Sequence, residues 1–210
     1  MTHRPTVGAN SLESASKTNT CATSLGLVAA DKVALRSALL AKRRGLDSAS
    51  KTHWDALIGA QILTWSRTHG VRSLGVYWPI QGEPDLRTAY QELVKQGVRL
   101  ALPVVVGADA PLQFAAWAPG ETLVRDAMGV CIPAETRFEF TPEAILVPCL
   151  GFNAAGFRLG YGGGYYDRTL AGTPRPLAIG IGYGCLAAQF ENAPHDIAMD
   201  LMVTEAAPRP

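Results

Sequence analysis

The chain predicts an α/β fold of three layers, a mostly parallel sheet with helices on both faces, in one domain spanning residues 30–207. Three observations lead there. Residues 73–105 run strand, helix, strand, a rhythm that calls for a parallel pair joined by a right-handed crossover. Two later apolar runs, Ala144 to Pro148 and Leu177 to Tyr183, read as core strands of the same sheet. At 210 residues, with no internal repeat and no linker after residue 30, the chain is long enough for one α/β domain and short for two.

Residues 1–29 are rich in Ser, Thr, Ala and Asn without an apolar period, and read as a disordered tail. A helix is expected from Ala30 to Arg44, with Val33, Leu35, Leu39 and Leu40 on its apolar side and Gly45 as its stop. A second runs from about Ser48 to Thr68. Trp54, Leu57, Ile58, Ile62 and Trp65 follow helical spacing there, with Gln61 as the polar intruder. The short connection suggests that the two helices pack as an antiparallel pair. Ser73 to Trp78 is a buried strand ended by Pro79, followed by a helix from Leu86 to Lys95 and a strand from Val98 to Val105. Pro111 to Trp117 reads as a strand in a hairpin or at an antiparallel edge. Tyr165 to Leu170 is a helix, and Met202 to Thr204 a last edge strand.

Composition narrows the function classes. Hydrophobic residues make up 48%, charged residues 18%, and the net charge is +1, so neither nucleic acid nor a membrane surface is an expected partner. Cys21, Cys131, Cys149 and Cys185 form no Cys-x-x-Cys pair, and His3, His53, His69 and His195 are as scattered, which argues against zinc. Reduced thiols in a cytoplasmic protein are the expectation. The run Leu25 to Ala30 is too short for a secretory apolar core, and no apolar run reaches the length of a membrane span.

The chemistry concentrates in Gly156-Phe-Arg-Leu-Gly-Tyr-Gly-Gly-Gly-Tyr-Tyr-Asp-Arg168. Gly160, Gly162, Gly163 and Gly164 fall just before a helix. Such a loop can bring backbone N–H groups close to an anion, with helix-start amides beside them. Arg158 and Arg168 flank it as candidate phosphate partners, and Asp167 could hold a cation. The spacing matches neither Gly-x-Gly-x-x-Gly nor the P-loop. A plain glycine-rich surface turn is the competing reading.

The longer stretch Leu146 to Arg168 resembles the signature of the 5-formyltetrahydrofolate cyclo-ligase family, with Cys149 where glycine is common and Asn153 where aspartate is common. The resemblance extends over residues 31–205. It implies an enzyme that uses ATP and Mg²⁺ to convert 5-formyltetrahydrofolate into 5,10-methenyltetrahydrofolate, with these small molecules as its partners; a monomer is the expected state, although the sequence does not fix it. Lys32-Val33-Ala34-Leu35-Arg36 is similar to the family's amino-terminal ATP-contacting element, with Arg36 also reaching the folate. The resemblance likewise assigns ATP to Arg158, Leu159, Gly160, Tyr161, Gly162, Gly163, Gly164, Tyr165 and Tyr166. It assigns the folate to Trp78, Glu83, Tyr161, Gly162, Gly163, Gly164 and Tyr165, and magnesium to Asp167 and Asp196. A carboxylate suits Glu83's role because a pterin's amino and ring N–H groups form a donor edge. Asp85 reads as a helix N-cap. The blocks Gln113 to Gly120 and Gly129 to Pro133 also resemble the family and read as scaffold and pocket wall. The rival function is a non-catalytic sensor that binds nucleotide or folate on the same scaffold.

Overall fold

The computed structural model describes residues 24–206, with side chains described from Lys32 onward; of the tail expected over residues 1–29, residues 1–23 lie outside the described residues and 24–29 are helical instead. Helix α1 (Ser24–Arg44) starts before the expected Ala30. It is followed by α2 (Ser48–Thr68), β1 (Ser73–Gly75), α3 (Arg87–Lys95), β2 (Arg99–Val104) and β3 (Gln113–Trp117). Next come β4 (Leu123–Arg125), β5 (Cys131–Pro133), β6 (Ala144–Pro148), β7 (Gly151–Phe152) and β8 (Arg158–Leu159). Helix α4 (Tyr165–Leu170), β9 (Leu177–Ile181), a 3-10 turn (Gly184–Leu186) and β10 (Leu201–Val203) complete the fold.

The central sheet has six strands in the order β10-β9-β6-β1-β2-β3. It is parallel throughout except at β3, which pairs antiparallel with β2 as the edge hairpin, as its sequence suggested. Alternate side chains leave the sheet on opposite sides. Along β6, Leu146 joins a core with Ile58 and Ile62 of α2 and Tyr90 and Leu93 of α3. Ile145 and Val147 join a second core with Phe114, Phe152 and Leu170 of α4. Each fully buried aliphatic side chain contributes about 1.5–3 kcal/mol of transfer free energy. Gly75 lies where the sheet has no room for a side chain: a Cβ there would come within 2.6 Å of the Phe114 ring and 2.7 Å of Ile145.

Four helical details add to or depart from the sequence reading. Val33 is 61% exposed, because α1 turns inward the side that carries Lys32, Arg36, Leu39 and Arg43, spaced four, three and four apart. Lys32 and Arg36 therefore face the cavity, and Arg43 is buried. Second, α2 packs chiefly on α3 and β10, while α1 crosses the 3-10 turn. Ile58 and Ile62 are drawn to the large apolar surface over β1 and β2. Third, Gln61 sits in α2 because its amide donates to the Thr204 and Ala206 carbonyls, at 2.8 and 2.7 Å, tying down the segment that follows β10. The N-cap of α3 is Leu86 rather than Asp85, although the Asp85 carboxylate still accepts from Arg87 N–H at 3.1 Å.

Candidate active site

Two segments leave the sheet and meet at one cavity of about 520 Å³. The first follows β1. Val76 N–H still donates to the Ala101 carbonyl at 2.8 Å, and then Pro79 ends the extended run. The chain reverses over Ile80–Glu83, with Gln81 at φ 49° and Gly82 at φ 82°, closed by Glu83 N–H donating to the Ile80 carbonyl at 2.9 Å. Two successive positive-φ residues make this a type I′ turn, and a glutamine in that conformation is strained. The turn returns Glu83 into the protein, where it is only 2% exposed.

The second segment is the glycine loop. The small hairpin of β7 and β8 leads into it. Asn153 closes that hairpin by accepting from Ala155 and Phe157 N–H at 3.1 and 3.0 Å, while its amide donates to the Phe190 carbonyl at 3.1 Å. The last of these bonds is one an aspartate could not make. Cys149 is buried, and burial pushes its thiol up to about 12, so it is inert at neutral pH. Gly162 at φ 98° and Gly164 at φ 64° supply the conformations that other residues resist, and Gly164 caps α4. The Arg36 guanidinium lies beside Gly162, and its Nε donates to the Gly160 carbonyl at 2.9 Å.

Of the residues singled out in the sequence, Lys32, Arg36, Trp78, Glu83, Asp196 and the whole run Arg158 to Asp167 line this cavity. Val33, Ala34 and Leu35 do not: the first two are exposed and Leu35 packs against the core, as a helix that turns only every fourth residue inward requires. Arg168 is also absent from the wall. Its guanidinium reaches back to the Gly163 carbonyl at 2.6 Å and the Ala110 carbonyl at 3.3 Å, bracing the loop from outside. A larger cavity, about 670 Å³, lies between α2 and α3 and shares only Trp78 with the first. It is lined by Asp55, Asp85, Glu92 and Arg87 without the glycine loop.

The charges in the first cavity are organised. Arg158 pairs with Asp167 at 2.8 Å and donates to the Ile197 carbonyl at 3.1 Å; Asp167 accepts from Ile197 N–H at 3.0 Å. Lys32 pairs with Asp196 at 3.0 Å, and Asp196 accepts from Ala193 N–H at 2.7 Å. Burial pushes the Asp196 carboxyl up, but Ala193 N–H and Lys32 outweigh it and hold the group below the usual carboxylate range. Glu83 goes the other way. Burial raises it, offset in part by Ile80 N–H, Arg43, the Tyr161 hydroxyl and Lys51. Asp167 and Asp196 fit a magnesium ion that arrives with phosphate and water in its shell, since Mg²⁺ takes one or two protein carboxylates. Among the described residues no group of three or more His, Cys, Asp or Glu gathers to hold an ion unaided.

Two features were not foreseen. The tip of the β4–β5 hairpin brings Asp126, Met128 and Val130 over the cavity; only Val130 belongs to a block read as pocket wall. Arg43, from the last turn of α1, is buried behind Glu83.

A 5-formyltetrahydrofolate cyclo-ligase from Mycolicibacterium smegmatis is 35% identical over 187 residues, covering 82% of this chain and 93% of its own. One from Mycoplasma pneumoniae is 30% identical, covering 83% and 99%. The solved structure of the Mycoplasma pneumoniae 5,10-methenyltetrahydrofolate synthetase superimposes with a TM-score of 0.68 at 27% identity, covering 83% of this chain and 99% of that one. The Aquifex aeolicus synthetase gives 0.73 at 30%, covering 85% and 91%. Residues 28–205 match the model of the 5-formyltetrahydrofolate cyclo-ligase family, and the chain belongs to that family of enzymes.

Proposed function

We propose that this enzyme converts 5-formyltetrahydrofolate and ATP into 5,10-methenyltetrahydrofolate, ADP and phosphate, as a monomer of the cytoplasm built on one domain over residues 30–207. The observation that carries the reading is the single cavity in which Glu83 faces the glycine loop, with Lys32, Arg36 and Arg158 around it.

Glu83 accepts from the donor edge of the pterin, and Trp78, Tyr161 and Tyr165 offer aromatic surface to its ring. Lys32, Arg36, Arg158 and the amides of Gly160 to Gly164 hold the phosphates; Arg suits the planar two-point contact and Lys the point charge. Asp167 and Asp196 would hold the Mg²⁺ that comes with ATP, which would supply neutralisation of phosphate charge. With both substrates held, the formyl oxygen attacks the γ-phosphorus and ADP leaves, giving an N5-iminium phosphate. N10 then attacks the formyl carbon and loses its proton, and the C–O bond breaks to release phosphate as the methenyl ring closes. Phosphorylation converts an amide-like oxygen into a good leaving group, and the residues contribute positioning and charge neutralisation.

The rival reading, a non-catalytic sensor, has no observation in its favour. The test is absorbance of the methenyl product from purified protein with 5-formyltetrahydrofolate, ATP and magnesium. Product should form with all three and fail when ATP is left out. Saturable binding of both ligands without product would favour the sensor.

A further inference from the structure

Arg43 is 1% exposed, yet no carboxylate among the described residues lies within ion-pair distance of it. Burying an unpaired guanidinium is costly, so its contacts must account for it. Its Nε donates to the Gln81 carbonyl at 3.2 Å, on the strained turn that returns Glu83 into the protein. Its Nη2 donates to the Tyr161 hydroxyl, and its Cζ stands 5.7 Å from the Tyr161 ring centre. Tyr161 in turn donates its hydroxyl to Glu83 Oε1 at 2.9 Å, while Glu83 Oε2 accepts from Ile80 N–H at 3.0 Å. Nη1 of Arg43 is buried without a partner, so this side chain has more donors than its neighbours use.

We propose that Arg43 is a positioning residue of the folate-facing wall: it ties the Glu83 turn to the glycine loop and steadies Tyr161 as a removable cap on the Glu83 carboxylate. The inference rests on the reading of Glu83 as the pterin partner. With the cavity empty, the Tyr161 hydroxyl satisfies Glu83. A ligand with a donor edge takes over Oε1, and Tyr161, already 43% exposed and next to Gly162, turns toward the cavity mouth. Arg43 stays behind both and keeps Glu83 ionised and aimed.

The other groups around Glu83 leave that task to few. Tyr77, Tyr90, Tyr161, Tyr166 and Cys149 are all raised by burial and stay neutral through the neutral range. Lys51 of α2 donates to the Glu83 carbonyl at 3.0 Å but is also paired with Asp55 at 3.2 Å. Of Arg43 and Lys51, the two cations that lower the Glu83 carboxyl, Arg43 is the one without a carboxylate partner among the described residues.

The test compares Arg43→Gln and Arg43→Lys with the parent in steady-state kinetics against pH, with melting curves to establish folding. Arg43→Gln should raise the folate KM about tenfold or more, leave the ATP KM within about twofold, and move the acid limb of kcat/KM for folate to higher pH. Arg43→Lys should return that limb to the parent's position while keeping part of the KM defect, because lysine restores charge but cannot span both carbonyl and hydroxyl. A folded glutamine variant with parental folate KM, or with equal losses for ATP and folate and an unmoved acid limb, overturns the proposal. Should the glutamine variant not fold, the lysine variant decides alone: a raised folate KM with parental ATP KM supports the bridge, and parental values for both overturn it. The parent's own turnover, measured alongside, tests the function reading separately.

Discussion

Glu83→Gln should lower folate turnover or affinity by roughly tenfold to a hundredfold while leaving ATP binding unchanged. The carboxylate offers only acceptors to a donor edge; an amide turns N–H groups toward it and loses the charge-assisted bond, worth about 1.5–3 kcal/mol. ATP is spared because the phosphates are assigned to Lys32, Arg36, Arg158 and the loop amides across the cavity. Stability should respond in the opposite direction. Burial holds the Glu83 carboxyl above its ordinary range in the folded protein. A group with a raised folded pKa contributes stability that is present below its unfolded value and lost as pH rises through the folded one. At slightly alkaline pH the glutamine variant should therefore melt no lower than the parent, and any gain should shrink on acidification toward the ordinary glutamate value. Folate kinetics, ATP titration and melting against pH are the three measurements. Parental folate kinetics, or a loss confined to ATP, would mean that the carboxylate serves another ligand.

Gly162→Ala should weaken ATP by about five- to a hundredfold. At φ 98° the loop uses a conformation that costs a side-chain-bearing residue about 1–3 kcal/mol. The loop relieves that strain by shifting the amides of Gly160 to Gly164 away from the position Arg36 helps define. Space is not the issue, since the new methyl would lie 3.8 Å from the Arg36 guanidinium carbon, an ordinary contact. Gly120→Ala is the matched control: φ is 102°, nothing lies within 4 Å of a Cβ there, and the residue is outside this cavity. It should share the loss of melting temperature and keep the parental ATP KM. Equal ATP defects in both would assign the effect to stability rather than to the phosphate loop.

These expectations rest on features of unequal legibility. The glycine loop and the turn after β1 could be read because each is local: glycines, a proline and a carboxylate within a few residues fix the backbone. The core strands β6 and β9 were legible for the same reason, as short apolar runs. The inward side of α1 was harder, because the apolar spacing set Val33 on the inner side, whereas the neighbouring chain decides which side faces in. Arg43 and Arg168 were illegible as to role. Each has a partner distant in sequence: Tyr161 and Gln81 for the first, the Ala110 carbonyl for the second. The β4–β5 hairpin escaped notice because Leu123-Val-Arg125 and Cys131-Ile-Pro133 are too short to show a period.

The central claim is that one cavity brings the γ-phosphate of ATP against the formyl oxygen of the folate. It is tested most directly by carrying out the reaction with 5-formyltetrahydrofolate labelled with ¹⁸O in the formyl group and analysing the released phosphate by mass. Transfer of that oxygen to phosphorus predicts one ¹⁸O in each phosphate formed. Unlabelled phosphate alongside methenyl product would contradict it, because ATP would then have been split without touching the oxygen it must remove.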